Sequence, residues 1–366
     1  MTHSDVCFCL PDFSGGGAEK VMMTLIEQLC PYHQVHCIAL SDRGPLYARL
    51  PQNCSFINMH STSARQAILP LSRFFRIQKP DVVVATMAYF NFVIMFALLI
   101  SGHRPDRIIL REANTPASTI ASLPLRWLGR FLYKFFYNRA DEVICNSKQT
   151  ARELSEVGVK QHLINVIPNP VDVKEVRQLA AEKVILPKFA DPSLPYFVAV
   201  GRLTGQKGMD QLIHWLSLMQ EKANLLIIGR GPKRAELLSQ INDAQLDHRI
   251  KLIDFQNNPF PFMANANAVL LGSRWEGLPN VGLEALALGK NVAATMGCGG
   301  LVELQLDKQT KSLFIAKADD EFVAELDRLA KKRTYSKNKA LAISQLPRQF
   351  HIEAAVAQYE KAIFGR

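Results

Sequence analysis

The stretch 268–295 constrains the fold of this chain more than any other. Ala268-Val-Leu-Leu271 is an uninterrupted apolar run, the pattern of a strand buried on both faces. A loop with Gly277, Pro279 and Gly282 follows. Leu283–Leu288 then reads as a helix that stops at Gly289, where glycine can end it. Asn291–Thr295 predicts the next strand. The same alternation recurs at Val6–Leu10 with Val21–Leu29, and at Asp81–Thr86 with Asn91–Ile100. Buried strand alternating with helix is the signature of an α/β protein with doubly wound sheets.

Polar residues gather where these strands end, which is where open parallel sheets place their ligands. Glu276 in the loop and Glu284 in the helix frame the turn after 268–271. Carboxylates accept hydrogen bonds and cannot donate, so the pair suits a hydroxyl-rich ligand, a sugar and a ribose. Backbone N–H groups at the helix start suit a phosphate. Three other strands run into glycine-rich loops: Ser14-Gly-Gly-Gly-Ala-Glu-Lys20, Gly201-Arg-Leu-Thr-Gly-Gln-Lys-Gly208 and Gly229-Arg-Gly231-Pro232. None is the dinucleotide fingerprint, because Lys20 and Arg234 stand where the third glycine belongs, and no P-loop is present. Arg202 and Lys207 share one glycine-framed loop. There Arg offers a fork of donors and Lys a point charge, both suited to a diphosphate.

Glu276, seven residues and Glu284, within EGLPNVGLEALALGK and beside Ser273, Gly277, Pro279, Asn280, Ala285 and Gly289, resemble the signature of the retaining glycosyltransferases of family 4 (GT4). GRLTGQKG resembles that family's G-R-x-x-x-x-K-G motif, and SGGGAEK its GGAE loop. The strand Ile164–Ile167 with the following PNPVD resembles its crossing between domains. The resemblance implies a GT-B fold, two Rossmann-like α/β domains facing across a cleft. Residues 1–172 would bind the acceptor, 173–193 form a linker, 194–345 bind the nucleotide sugar, and 346–366 pack back on the first domain. It implies that Arg202 and Lys207 neutralise the diphosphate leaving group, that Glu276 orients the donor sugar, and that Glu284 takes the ribose hydroxyls. Gly16, Gly17, Gly201, Gly231 and the amides of Asn280, Val281 and Gly282 would complete the donor site. Catalysis would rest on Glu276, Arg202 and Lys207. Attack would come from the face the diphosphate leaves, with the departing phosphate oxygen helping to take the acceptor's proton. No cofactor or metal is implied. A UDP-sugar is the expected co-substrate. GDP-mannose, or a non-catalytic nucleotide-sugar-binding relative, is the alternative.

The loop Arg111-Glu-Ala-Asn-Thr-Pro116 resembles a subset that builds bacterial surface polysaccharides, whose members often have histidine or arginine where this chain has Ala113. Glu112 and Asn114 are candidates for contacts to donor or acceptor sugar, and capping or turn formation explains them equally well. The resemblance thus points to a hexose or N-acetylhexosamine transferred to a glycolipid or oligosaccharide acceptor. Lipopolysaccharide, O-antigen and capsule are the glycans in view.

At 366 residues the chain exceeds the usual single core, so two domains are expected. The seven cysteines are odd in number and lack metal-like spacing, which suits a reduced, cytoplasmic chain. Asp5 and Asp12 interrupt the N-terminal apolar run, so no signal peptide is expected. Val82–Gly102 is free of charge over 21 residues yet divides into a strand and a helix, so no membrane span is expected. A net charge of +10 admits nucleic acid, an anionic membrane or an anionic substrate. Its placement narrows the choice. Residues 121–139 carry Arg126, Arg130, Lys134 and Arg139, no acid, and Trp127, Leu128, Phe131, Leu132, Phe135 and Phe136. That is the profile of an interfacial helix on an anionic leaflet, or of a core helix with a solvated basic edge. Basic and aromatic residues together also suit single-stranded nucleic acid. That reading leaves the glutamate and glycine motifs unexplained, so no nucleic-acid partner is expected. The chain is expected at the inner face of the cytoplasmic membrane, peripherally bound.

Overall fold

A computed structural model describes residues 5–308, 310–331 and 342–365. The chain forms two compact units, one running through Pro170 and including the residues from Glu353 onward, the other Val171–Ile352.

The first unit is a seven-stranded sheet, every pairing parallel. Its elements are β1 (Asp5–Leu10), α1 (Gly17–Leu29), β2 (Gln34–Ala39), β3 (Ser55–Asn58), α2 (Ile68–Gln78), β4 (Val82–Thr86), α3 (Ala88–Ser101), β5 (Arg107–Glu112), α4 (Pro116–Ala121), α5 (Arg126–Leu132), β6 (Glu142–Cys145), α6 (Lys148–Glu156) and β7 (Ile164–Val166). The strand order is β3-β2-β1-β4-β5-β6-β7. All five residues of β4 are buried, because helices cover both faces of a parallel sheet. The charge-free stretch divides into β4 and α3, and among the described residues no helix is long and apolar enough to cross a membrane. The C-terminal helix, Ile352–Phe364, belongs to this unit from Glu353 on. Its Ala362 carbonyl accepts from Arg107 at 2.7 Å and its Tyr359 hydroxyl accepts from Arg111 at 3.1 Å.

The basic aromatic segment is not one helix. Pro124 lacks an amide hydrogen and disfavours helical backbone at the residue before it, so α4 stops at Ala121 and α5 restarts at Arg126. A π-helical turn, Tyr133–Tyr137, follows directly.

The second unit continues with α7 (Val173–Ala180), β8 (Tyr196–Val200), α8 (Met209–Leu218), β9 (Asn224–Ile228), α9 (Arg234–Asp243), β10 (Ile250–Ile253), α10 (Phe260–Asn265), β11 (Ala268–Leu271), α11 (Asn280–Ala287), β12 (Asn291–Thr295), α12 (Gly299–Leu306), β13 (Leu313–Ala316) and α13 (Asp319–Lys331). Its six strands are parallel in the order β10-β9-β8-β11-β12-β13, the dinucleotide-fold order of two mirrored halves. Residues 332–341, within the stretch 194–345 expected to bind the nucleotide sugar, lie outside the described residues.

Residues 173–180, expected within a linker, form α7. Asp172 caps it by accepting from the Glu175 amide at 2.9 Å, an N-cap bond, and Val176 and Ala180 join the core of this unit.

Candidate functional site

In both units the strand order reverses beside the first strand, and the loops at that switch open a crevice by construction. In the second unit these are the loops after β8 and β11. The sequence brings them together through hydrogen bonds that no motif announces. Arg274 donates its amide to the Gln206 carbonyl at 2.8 Å, and its guanidinium reaches the Gly205 carbonyl at 2.8 Å and both Asp210 oxygens at 2.9 and 2.5 Å. Gln206 donates to the Trp275 carbonyl at 3.0 Å and Gln211 to the Gly272 carbonyl at 2.8 Å. The Arg274 hydrogen bonds hold the Asp210 carboxyl below its ordinary range, and Asp210 raises Arg274 in return. Gly208 has φ +59°, and a side chain there would overlap the carbonyl oxygen of Gly272. The loops can approach this closely only because position 208 lacks a Cβ.

Lys207 and Glu276 meet in this seam. The Lys207 ammonium lies 2.8 and 2.7 Å from the two Glu276 oxygens, with the side chains 16% and 10% exposed. Ser273, fully buried, donates to Glu276 Oε1 at 2.5 Å. The Glu276 amide donates to the Gly297 carbonyl at 2.7 Å, and the Thr295 hydroxyl to the Ser273 carbonyl at 2.5 Å, so the end of β12 and the loop before α12 also brace the segment that carries the carboxylate. Behind them Cys298 is buried, and burial followed by the Glu276 charge pushes its thiol up to about 12. Arg202 stays exposed beside them, donating to Gln206 at 3.3 Å. Glu284 is buried on α11. Gly201 and Gly231 line the adjoining loops, the Gly231 backbone lying against Leu203.

Asn280 and Val281 open α11, directly after Pro279. Gly282 also has a part in the packing that its position did not announce. Its amide donates to the Pro279 carbonyl at 3.1 Å, and a side chain there would meet Leu301 at 2.6 Å and Leu271 at 3.1 Å. Its bareness serves packing.

Residues 185–345 match the family described as glycosyl transferases group 1, and residues 15–175 match Glycosyltransferase Family 4. The two matches, each over about one unit, identify a glycosyltransferase of the family 4 type. An uncharacterised glycosyltransferase of Methanocaldococcus jannaschii is 30% identical over 228 residues, covering 59% of this chain and 56% of that protein. The alignment thus spans little more than half of that relative. The N-acetylgalactosamine-N,N'-diacetylbacillosaminyl-diphospho-undecaprenol 4-alpha-N-acetylgalactosaminyltransferase of Campylobacter jejuni is 25% identical over 301 residues, covering 79% of this chain and 80% of that enzyme. The crystal structure of Anabaena HepE in complex with UDP and glucose superposes with a TM-score of 0.78 at 17% identity over 100% of both chains. At that identity the likeness speaks for the fold: the two Rossmann-like units are those of the GT-B fold.

In the first unit of this glycosyltransferase the loop after β1 leads to Gly16, the N-cap of α1, and Gly17, its first residue. The Glu19 carboxylate lies against Gly16, so closely that any side chain at 16 would overlap it. Ser14 donates to the same carboxylate at 3.2 Å.

Glu112 does not face an open surface. It is 1% exposed and accepts from the hydroxyls of Tyr133 at 3.1 Å and Tyr137 at 2.6 Å. Tyr133 and Tyr137 are four residues apart, so one helical face carries both to the carboxylate. Asn91 donates to the Tyr137 oxygen at 2.9 Å and to the Arg111 carbonyl at 3.1 Å. Asn114 accepts from the Thr115 amide at 2.9 Å, a turn contact. The sugar-contact reading of Glu112 therefore gives way to a structural one. Arg111, which the sequence had not singled out, is equally buried and donates to Asn169 at 2.6 Å, Tyr359 at 3.1 Å and Thr86 at 3.3 Å.

Burial is the largest influence on Glu112 and outweighs its tyrosine bonds, pushing the carboxyl up to about 7. The folded protein then holds this proton to higher pH than the unfolded chain does. Its contribution to stability is complete at acid pH and falls as pH rises from the ordinary carboxyl range to about 7, by up to about 3 kcal/mol. Glu112→Gln is neutral throughout. Urea midpoints of the two proteins should coincide at pH 4.5 and separate by pH 8 with the glutamine variant the more stable. Equal midpoints at both ends would show the carboxylate to be solvated.

Among the described residues, no group of three or more His, Cys, Asp or Glu side chains comes together as a metal site. Sequence reasoning missed Gln206, Asp210 and Arg274, and the only signal for the last two is a pair of opposite charges 64 residues apart. It also left Ser273 as motif background, without its hydrogen bond to Glu276.

Proposed function

We propose that this family 4 enzyme transfers a hexose or N-acetylhexosamine from a nucleoside diphosphate sugar to a lipid-linked or polysaccharide acceptor, with retention of anomeric configuration, in the synthesis of a cell-surface glycan. The observation that carries this is the seam at the switch point of the second unit, where Lys207 and Ser273 both bond Glu276 and Arg202 shares the Lys207 loop. Charge grows on the diphosphate as the sugar leaves. Cations that already contact the bound diphosphate stabilise that charge as it grows. Lys207 and Arg202 fill that role, Glu276 accepts hydrogen bonds from sugar hydroxyls, and Glu284 takes the ribose. Same-face attack fits best, with the departing phosphate oxygen accepting the acceptor's proton. The reading needs no metal, since the two cations and the start of α11 supply positive charge. UDP is the preferred base, on the resemblance around residues 111–116, and GDP-mannose the alternative. The Campylobacter relative, named for a diphospho-undecaprenol-linked acceptor, supports an acceptor on a polyprenyl diphosphate.

Thermal stabilisation by UDP, GDP and ADP tests the donor half. A ligand at about 100 times its dissociation constant adds about 2.7 kcal/mol. One base should raise the melting temperature by a few degrees, and its sugar conjugate should be slowly hydrolysed. No shift with any of the three would remove the reading.

The acceptor half places the enzyme on a membrane surface. Leu125, Trp127, Leu128 and Phe131 are all exposed, Trp127 at 66%, and Arg126, Arg130 and Lys134 are exposed beside them. A solvated basic edge on a core helix would have buried that apolar face. Each basic residue near an anionic surface contributes about 1 kcal/mol. Arg126→Glu/Arg130→Glu should therefore lower co-sedimentation with phosphatidylglycerol vesicles by more than tenfold and leave nucleotide binding unchanged. Equal sedimentation of both proteins would refute a membrane role for this face.

A further inference from the structure

Building on the proposed donor site, we infer that the Lys207–Glu276 pair is a latch shared by the two halves of the donor: the diphosphate takes Lys207 away from Glu276, and the sugar hydroxyls then occupy the carboxylate that Lys207 has left.

The geometry supplies each part. Lys207 is bound to both oxygens of Glu276, at 2.8 and 2.7 Å, so its ammonium is already engaged. The pair is only 16% and 10% exposed, so water screens it little and compensates poorly if it opens. The other cations of the seam are placed differently. Arg274 is held by both oxygens of Asp210, and Arg202 is exposed. A diphosphate entering the glycine loop therefore gains the Lys207 charge only by competing with Glu276. Lys207 has the means to move, because its ammonium is a point charge on a flexible stem. Glu276 does not follow. Ser273 donates to it at 2.5 Å, and its own amide is tied to the Gly297 carbonyl at 2.7 Å. The carboxylate stays in place with acceptor capacity to spare, and hydroxyl groups can fill that capacity.

Two consequences follow from one exchange. A nucleoside diphosphate alone breaks the pair and leaves a nearly buried carboxylate without its cation, so it binds more weakly than its contacts warrant. The nucleotide sugar supplies hydroxyl donors at that carboxylate, so the sugar adds more affinity than its own contacts would. Ser273 is thus a positioning residue for Glu276.

Calorimetric titration of UDP, GDP and ADP into wild type, Glu276→Gln, Lys207→Gln and the double variant tests the latch. Both glutamines keep a hydrogen-bonding amide in the seam, and the double variant leaves no uncompensated charge. Glu276→Gln should bind the preferred nucleoside diphosphate about tenfold more tightly than wild type, about 1.4 kcal/mol. That gain should disappear when Lys207 is also glutamine. If the same tightening persists without Lys207, Glu276 merely repels the phosphates, and the latch is wrong while the donor site stands. Unchanged or weaker binding by Glu276→Gln overturns the latch in the same way. If wild type binds none of the three nucleotides, the proposed donor site fails first and takes the latch with it.

Discussion

Lys207→Ala is expected to lower kcat/KM for transfer by roughly 10²–10³-fold, the usual cost of removing one fixed donor from a developing anion. Lys207 should matter more than Arg202 for a physical reason. The Lys207 side chain is 16% exposed and its ammonium is shielded by the seam, whereas Arg202 is exposed. A charge interaction strengthens as water is excluded. Arg202→Ala should therefore cost nearer tenfold and act mainly on KM, while the double variant should bring transfer close to background. Part of the Lys207→Ala loss comes from stability, because a nearly buried Glu276 is left without its cation. Measuring the melting temperature beside initial rates at saturating donor separates the two. Transfer by Lys207→Ala within threefold of wild type would show that the leaving group is neutralised elsewhere.

Gly208→Ala should destabilise the second unit by about 2–5 kcal/mol and abolish nucleotide binding in the fraction that remains folded. A left-handed backbone costs a residue with a Cβ about 1–2 kcal/mol. The overlap with the Gly272 carbonyl adds the cost of overpacking, about 1–3 kcal/mol, and both atoms belong to backbone, so neither can swing aside. Relief requires the loops after β8 and β11 to separate. That motion pulls Lys207 from Glu276 and breaks the bonds of Arg274 and Gln206 across the seam. Gly205→Ala is the matched control, since the nearest atom to a Cβ there is the flexible end of Lys233 at 3.8 Å. Unfolding in urea and nucleotide titration of the two variants should diverge. If Gly208→Ala matches Gly205→Ala in both, the close approach of the loops is not needed for the site.

The strands and most helices were legible because their burial is two-sided and their periods are simple. Ala268–Leu271 and Asn291–Thr295 appear with the predicted bounds. The site was legible as a set of loops for the same reason, since each follows a readable strand. The errors share a cause as well. The segment 121–139 reads as one amphipathic helix from composition, but Pro124 divides it, and a π-turn rather than a further α-helical turn follows α5. Glu112 looks like a loop carboxylate open to sugar, and only the packing of that turn over β5 shows that it is buried.

By itself, the sequence determined the α/β class, the ends of the strands and the residue types gathered there, because backbone periodicity and glycine placement are local properties. Tertiary structure alone decided which of those residues touch. Lys207 and Glu276 are 69 positions apart and Glu112 and Tyr137 are 25 apart, and strand order, not spacing along the chain, makes neighbours of them. Whether a carboxylate is held by a lysine, a serine or two tyrosines depends on how closely backbones approach and how much water they exclude. Those quantities exist only once the sheet has formed.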